Sequence, residues 1–209
     1  MTVTIFGATG MVGKQLVLQA LIMGFTVKAF GRNVFTSHFF EDKNLHLIQG
    51  ALFDEKEVLD AIMGSDAVLS VLGGSLDGTD KTRSLGMKNI VEQMEKSGVK
   101  RIIAVGGMGV LNAPNDSLLL DDENYPPQFI PVGEEHLKAY ELLKESTLDW
   151  TFVCPPDLVN ADVTGIFTTE ANYPPAVNNY KINTGDLAMF MLNELQKNQY
   201  NQQKVGISN

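Results

Sequence analysis

The sequence predicts a single α/β domain over residues 1–209, with a doubly wound parallel sheet and helices on both of its faces. Short runs of β-branched and apolar residues alternate with segments of helical periodicity about six times along the chain. Of the 209 residues, 44% are hydrophobic and 20% are charged, which suffices for one sizeable core. Several predicted strands end in glycine, and ligands in such sheets bind beyond the carboxyl ends of the strands.

The first strand, turn and helix carry the clearest functional signal. Residues 2–6 predict a buried strand and residues 14–23 predict a helix, with the pattern Gly-x-x-Gly-x-x-Gly between them. Gly7 permits a tight turn, Gly10 removes a side chain where a pyrophosphate would lie, and Gly13 lets the helix approach the strand. Backbone N–H groups at the helix start would then face the phosphates. The alternative is a glycine-rich turn in an α/β protein that binds no nucleotide.

The second predicted strand, residues 25–30, ends next to Arg32. In a dinucleotide-binding fold this point meets the adenine ribose, where an acidic residue binds the 2′-hydroxyl of NAD and a cation accepts the 2′-phosphate of NADP. Arg32 has no acidic neighbour, which favours NADPH over NADH. The alternative is an arginine in a solvated loop.

The remaining elements continue the alternation. In chain order we predict a strand over 45–50, a helix over 54–63 with Asp54 as N-cap, a strand over 66–74, a helix over 82–97, a strand over 101–107, a helix over 134–146, a strand over 150–154, a strand near 165–167, a helix from Thr184 or Asp186 to Leu195, and a strand over 205–207. Residues 108–132 break this rhythm, and a connection of that length is typical of a functional lid or of a disordered segment.

The net charge and the composition limit which classes of molecule this chain is expected to bind. The net charge of −9 disfavours nucleic acid and anionic membranes, so we expect a small-molecule substrate. We find no run of about 18 apolar residues and no signal-peptide pattern, which predicts a cytoplasmic protein. We expect it to be either a monomer or a homodimer. The single cysteine, Cys154, excludes an intramolecular disulfide, and the three histidines lack the spacing of metal ligands.

Several stretches, taken together, resemble a known family. They are Ile5-Phe6-Gly7-Ala8-Thr9-Gly10, Leu72-Gly73, Asn89-Ile90-Val91, His136-Leu137, Leu143-Lys144-Glu145-Ser146 and Pro155-Pro156. Through them the chain resembles the atypical short-chain dehydrogenase/reductase superfamily, in its NmrA-like and NAD(P)H-binding branch. Within that branch it is most similar to the biliverdin-IXβ reductase/NADPH-flavin reductase group. The resemblance implies a Rossmann-like fold.

The resemblance also implies a set of cofactor contacts. It implies phosphate contacts from Gly7, Thr9, Gly10, Met11 and Val12, 2′-phosphate contact from Arg32, adenine contact near Ala51 and Leu52, ribose and nicotinamide contact from Leu72, Gly73 and Gly106, and nicotinamide contact from Pro155 and Pro156. Five positions depart from the family pattern. Ala51 replaces an acidic residue, Thr36 a second basic residue, Gly106 and Gly107 replace hydroxyl residues, and Asp157 replaces a histidine.

The acid–base pair of carbonyl-reducing members is a Tyr-x-x-x-Lys motif, in which the lysine lowers the pKa of the tyrosine. Tyr140 and Lys144 have this spacing but lie about one heptad too late in their helix. The expected register falls on Gly133 and Leu137, neither of which transfers protons. His136 and Asp157 are candidates for orienting a substrate, although a surface histidine and a turn-capping aspartate are the alternatives.

These features predict an NADPH-dependent reductase of a conjugated small molecule such as a flavin or a quinone. Hydride transfer to such a ring asks the protein for positioning and for exclusion of water. One alternative is a non-catalytic sensor of the NmrA-like type, which binds NADP(H) or NAD(H) and signals to a protein partner. A sugar-nucleotide epimerase is a further alternative, which the missing Tyr–Lys pair disfavours.

Overall fold

Ten β-strands and five α-helices make up the computed structural model, which describes residues 1–209. The strands are β1 Thr2–Phe6, β2 Thr26–Gly31, β3 Leu45–Gln49, β4 Ala67–Ser70, β5 Arg101–Val105, β6 Asp149–Cys154, β7 Asp157–Val159, β8 Thr168–Ala171, β9 Lys181–Asn183 and β10 Gln203–Ser208. The helices are α1 Met11–Ile22, α2 Glu55–Ile62, α3 Thr82–Ser97, α4 Ile130–Glu145 and α5 Thr184–Lys197. Single 3₁₀ turns occupy Val34–Thr36, Met108–Val110, Leu119–Asp121 and Pro127–Phe129.

Eight strands form one sheet in the order β3-β2-β1-β4-β5-β6-β10-β8. All neighbours pair in parallel except β8, which runs antiparallel to β10 at the edge. The first six strands of this order, β3-β2-β1-β4-β5-β6, match a dinucleotide-binding sheet. Successive strands are added on one side of β1 up to β3 and on its other side from β4 onward, and this switch opens a crevice between β1 and β4. The predicted doubly wound α/β class is confirmed. The sequence did not predict the antiparallel edge or the separate two-stranded sheet of β7 and β9.

Helices cover both faces of the sheet because the buried strands are apolar on both sides. Val3 and Ile5 of β1 point into the cluster that contains α1 and α5, whereas Phe6 points into the cluster that contains α2, α3 and α4. Each fully buried Leu, Ile or Phe side chain in these clusters contributes about 1.5–3 kcal/mol. The sheet is therefore a rigid platform whose carboxyl edge carries the loops.

Four predicted elements have different bounds in the structure. Helix α4 begins at Ile130 instead of residue 134, because Pro131 lies in the first turn, where a helix needs no N–H donor. The strand predicted near 165–167 lies at Thr168–Ala171, since Gly165 has φ +74° and its N–H donates to Asp186. The strands predicted over 66–74 and 101–107 end before their glycines, which form the turns beyond.

The connection from Met108 to Phe129 folds against the sheet through three 3₁₀ turns. Lys204 of β10 anchors it, because its ammonium donates to the carbonyl of Val110 at 2.7 Å and to the side chain of Asn112. The same ammonium lies 5.3 Å from the centre of the Tyr140 ring. Burial lowers the pKa of Lys204, which forms no ion pair.

The turn between β1 and α1 is held by two close backbone approaches. Gly7 has φ +84°, and a Cβ there would lie 2.5 Å from the carbonyl oxygen of Val71. A Cβ at Gly13 would lie 2.1 Å from the carbonyl oxygen of Gly7. Both obstacles are backbone atoms, so the chain cannot relieve the clash by moving a side chain.

We predict that Gly13→Ala destabilises the fold by about 1–3 kcal/mol, the cost typical of overpacking. The matched control is Gly73→Ala, since no heavy atom lies within 4 Å of a Cβ at that position. The control is expected to stay within about 0.5 kcal/mol of wild type. Urea denaturation measures both variants, and equal stabilities of the two would contradict the close approach of α1 to β1.

Candidate functional site

A cavity of about 1350 Å³ opens at the carboxyl edge of the sheet. Its volume exceeds the range of about 300–1,000 Å³ that is usual for one small ligand, so it has room for two molecules side by side. All twelve residues predicted to contact the cofactor line it: Gly7, Thr9, Gly10, Met11, Val12, Arg32, Ala51, Leu52, Leu72, Gly73, Gly106 and Pro155. Pro156, His136 and Asp157 line it as well. The structure thus brings the predicted residues into one space, and their roles stay predictions.

The start of α1 presents unpaired backbone donors to this cavity. Gly10 precedes the helix without a side-chain cap, and the first turn contains no acidic residue. The N–H groups of Met11, Val12 and Gly13 have no hydrogen-bond acceptor in the protein. A Cβ at Gly10 would meet only the Gly7 carbonyl oxygen, at 3.4 Å, so the space above this residue is open. The arrangement fits a pyrophosphate, which supplies the acceptors that the helix start lacks.

Arg32 lies at the rim of the cavity with its guanidinium exposed and bonded to no other group, while its carbonyl accepts a hydrogen bond from Gln49 at 3.0 Å. A free guanidinium at this point fits a phosphate on the adenine ribose. Thr36, the position of the family's second basic residue, lies outside the cavity, and its hydroxyl donates to the carbonyl of Asn33.

Beside Ala51, the side chains of Asp54 and Glu57 hold the start of α2, and neither of them lines the cavity. Asp54 caps α2 as predicted, since its carboxylate accepts the Glu57 N–H at 2.9 Å. The Glu57 carboxylate turns back and accepts the Ala51 N–H at 2.6 Å. Phe53, which the sequence analysis missed, lines the cavity beside Leu52 with 60% of its side chain exposed.

Two predicted glycines line the cavity for different reasons. A Cβ at Gly106 would lie 2.1 Å from the Phe152 ring, so packing beneath the sheet edge requires this glycine. No other heavy atom lies within 4 Å of a Cβ built at Gly73. Of these two glycines, Gly73 is therefore the one whose missing side chain leaves open space.

Beyond the glycine turns the cavity continues into a second chamber, which the sequence did not reveal. The 108–129 connection and the residues after β6 form its walls, which are mostly apolar. The lining residues include Leu76, Met108, Leu119, Phe129, Val132, Pro156, Leu158, Pro174 and Tyr180. Some of these side chains, such as Leu76 and Tyr180, are still exposed, so the apolar surface is accessible to a ligand.

His136 is a neutral hydrogen-bonding group in the second chamber. Its ring lies against the backbone of Gly107, where a Cβ would be 2.8 Å from Cδ2, and it forms no hydrogen bond within the protein. Burial and, to a lesser extent, the Arg83 cation lower the pKa of His136 to about 3, although the Glu135 carboxylate offsets part of their effect. A neutral imidazole offers one N–H donor and one acceptor and carries no proton to transfer as an acid at neutral pH.

Tyr125 provides a second neutral donor in the same chamber. Its hydroxyl has no hydrogen-bond partner in the protein and would lie 2.6 Å from a Cβ at Gly109. Burial raises the pKa of Tyr125, so the phenol keeps its proton. No sequence signal marks this residue, because it lies in an irregular segment without periodicity.

A buried polar cluster positions the helices around His136. Arg83 is 7% exposed and donates to the carbonyls of Ser75 at 3.0 Å and Gly74 at 3.1 Å, which fixes the loop after β4. Glu135 accepts from Ser84 and, at 3.0 Å each, from Lys81 and Lys138. Burial alone would raise the pKa of Glu135, but these hydrogen bonds outweigh it and hold the pKa at about 2.

Tyr140 and Lys144 do not line the cavity. The Tyr140 ring packs edge-on against Trp150, with ring centres 5.7 Å apart, and Lys144 is exposed. Of the two residues on which the expected register of the acid–base pair falls, Gly133 lines the cavity, whereas Leu137 does not and packs against the core.

On α4, the cavity-facing pair spaced by four residues is Val132 and His136. Burial raises the pKa of Cys154 to about 12, which makes this thiol inert at neutral pH. No helix combines the length and the apolar character that crossing a bilayer requires.

Comparison with known proteins gives a family and several relatives. A family model described as NAD(P)H-binding matches residues 7–198. An uncharacterized chloroplastic protein of Arabidopsis thaliana is 29% identical over 171 residues, which cover 78% of this chain and 61% of that protein. The N-acetyl-alpha-D-glucosaminyl-diphospho-ditrans,octacis-undecaprenol 4-epimerase of Escherichia coli O157:H7 is 31% identical over 153 residues, which cover 68% of this chain and 43% of the epimerase. The chain thus spans less than two thirds of either protein.

A solved structure from Streptococcus pneumoniae, described as a candidate NADH-flavin reductase, has the same fold. It aligns with a TM-score of 0.85 at 24% identity and covers 100% of this chain and 99% of that one. The predicted membership in an NAD(P)H-binding branch is confirmed by the family match.

We predict that His136→Gln makes the protein less sensitive to acid. The pKa of His136 is about 3 in the folded protein, compared with an ordinary value of 6.5. Below pH 6.5 the unfolded chain therefore binds a proton at this residue that the folded chain does not bind. Stability therefore falls as the pH drops toward 3, and the substitution removes this contribution. Between pH 7 and pH 5 we expect the variant to lose up to about 2 kcal/mol less than wild type in urea titrations. Identical losses would show that His136 is not held neutral.

Proposed function

The chain belongs to the NAD(P)H-binding family, and we propose on that premise that it is an NADPH-dependent reductase of a flavin, a quinone or a similar conjugated molecule. One observation carries the proposal: a single cavity joins a phosphate-binding helix start to an apolar chamber whose unpaired donors, His136 and Tyr125, are both neutral.

The half of the cavity next to α1 suits the dinucleotide. The N–H groups of Met11, Val12 and Gly13 would bind the pyrophosphate, and Arg32 would bind the 2′-phosphate that distinguishes NADPH from NADH. Leu52 and Phe53 would pack against the adenine. Gly73 and Pro155 would hold the nicotinamide at the opening of the second chamber.

When bound, NADPH supplies a hydride to the acceptor. The apolar walls of the second chamber would hold the acceptor flat against the nicotinamide and exclude water from the transfer. His136 and Tyr125 would donate hydrogen bonds to the oxygen or nitrogen atom that gains negative charge. The remaining proton would come from solvent and would bind at an exposed heteroatom of the acceptor, since neither His136 nor Tyr125 releases a proton near neutral pH.

A non-catalytic NAD(P)-binding sensor is the second candidate. It is favoured by the same lack of an acid–base pair, because a sensor needs only the phosphate-binding half and the guanidinium of Arg32. Epimerisation of a sugar diphosphate joined to undecaprenol, the activity in the name of the Escherichia coli relative, requires a base that removes a hydroxyl proton. The cavity face of α4 offers Val132, Gly133 and the neutral His136 instead.

We predict that Arg32→Ala weakens NADPH binding about 10- to 100-fold, the cost of a lost charge-assisted contact of about 1.5–3 kcal/mol. NADH lacks the 2′-phosphate, so its affinity should hardly change in the same variant. Cofactor fluorescence titration measures both, with Lys43→Ala, an exposed cation outside the cavity, as the control. An equal loss for both cofactors, or no loss for NADPH, would overturn the assignment of Arg32.

We predict that the protein oxidises NADPH in the presence of at least one flavin or quinone, followed as the fall in absorbance at about 340 nm. Tyr125→Phe should lower kcat about 10- to 100-fold without weakening NADPH binding, because it removes only the donor to the acceptor. Tight NADPH binding without turnover on any acceptor would support the sensor and exclude the reductase.

A further inference from the structure

We propose that the second chamber selects uncharged acceptors over anionic ones, through the carboxylates of Asp122 and Asp157. This inference rests on the proposed reductase function and specifies its substrate class. It predicts that riboflavin and simple quinones are reduced in preference to flavin phosphates, sulfonated quinones or other acids.

Two carboxylates line the second chamber without a compensating cation. Asp157 lies at the start of β7, exposed at the chamber mouth, and its carboxylate accepts no hydrogen bond. Asp122 also lines the cavity, is exposed, and accepts only from the N–H and side-chain amide of Asn124, at 2.8 and 3.1 Å. Neither takes part in any of the six ion pairs of the structure.

The rim beside Asp122 strengthens the negative field. Asp121 and Glu123 flank it, are exposed and form no ion pair either. The chain as a whole carries a net charge of −9, so no distant excess of cations opposes this field.

The one cation of the chamber, Arg83, is already engaged. Two of its guanidinium nitrogens donate to the carbonyls of Gly74 and Ser75, and the side chain is 7% exposed. Burial lowers its pKa, which the nearby carboxylates of Asp80 and Glu135 oppose. The Nε–H of Arg83 has no acceptor, but this atom is buried, and the carboxylates of Asp80 and Glu135 partly offset the charge that the guanidinium presents to an incoming anion.

The two halves of the cavity thus differ in charge. The cofactor half presents Arg32 and the start of α1, which attract phosphates, whereas the second chamber presents Asp122 and Asp157, which repel them. A unit charge about 8 Å from one carboxylate, at an effective dielectric constant of about 40, changes affinity about fivefold. Repulsion of this kind is a recognised way to exclude a ligand that otherwise fits.

The test compares riboflavin with FMN, which share the same ring system and differ by a phosphate. With saturating NADPH at about 20 mM salt, kcat/KM for riboflavin should exceed that for FMN about fivefold or more. The ratio should fall toward one at about 0.5 M salt, where the Debye length is only a few ångströms. Menadione and a sulfonated naphthoquinone provide a second pair of the same design.

Asp122→Asn and Asp157→Asn should each reduce the riboflavin preference, chiefly by improving FMN. The matched control is Glu141→Gln, an exposed carboxylate on α4 outside the cavity, which should leave the ratio unchanged. If FMN is reduced as well as riboflavin at low salt, or if salt does not change the ratio, the charge selection is wrong and the reductase function stands.

If no acceptor is reduced, the reductase function fails. Flavin fluorescence quenching in the presence of NADP⁺ then still tests the selection. Tighter binding of riboflavin than of FMN supports charge selection by the chamber, and equal binding overturns it.

Discussion

The close approach of α1 to the end of β1 is the constraint on which the rest of the site depends. Because Gly13 lies where a Cβ would be 2.1 Å from the Gly7 carbonyl oxygen, the helix starts directly over the strand end. Its first N–H groups then point into the cavity, and neither a capping side chain nor an acidic residue satisfies them. Unpaired N–H groups at a helix start lower the stability of the fold, and a protein tolerates this loss when an anionic ligand supplies the missing acceptors. The turn thereby links the packing of the first βα unit to the binding of a dinucleotide.

The second chamber depends on contacts made far along the chain. Lys204 of β10 holds the connection after β5 through Val110 and Asn112, residues 94 and 92 positions away. Glu135 ties α4 to α3 through Ser84 and two lysines, which places His136 beside Gly107. The buried Lys204 ammonium and Glu135 carboxylate that stabilise the walls are thus hydrogen-bonded within the protein, while His136 and Tyr125, which face the chamber, have no partner there. The walls are therefore held in place, while the groups that face the chamber remain free to form hydrogen bonds with a ligand.

The sequence predicted what local patterns determine. Residues 82–97 have the bounds of α3, and the twelve expected cofactor residues share one cavity because they follow parallel strands that end at the same edge. Strands β7 and β9 were missed, since three-residue strands have too little periodicity to detect. Tyr125 and the packing of Gly106 on Phe152 were missed because they depend on tertiary contacts. The sequence did not show which residues of α4 line the cavity, which are Val132, Gly133 and His136, because that depends on how the helix packs on the sheet.

The central claim is that the Gly7–Gly13 turn binds the pyrophosphate of NADPH through free backbone N–H groups. Titration of the ¹⁵N-labelled protein with NADPH, followed by amide proton and nitrogen shifts, measures this directly. The account predicts that the amides of Met11, Val12 and Gly13 show large downfield proton shifts that saturate with the cofactor. Saturating binding that leaves these three amides unshifted would place the dinucleotide elsewhere and contradict the account.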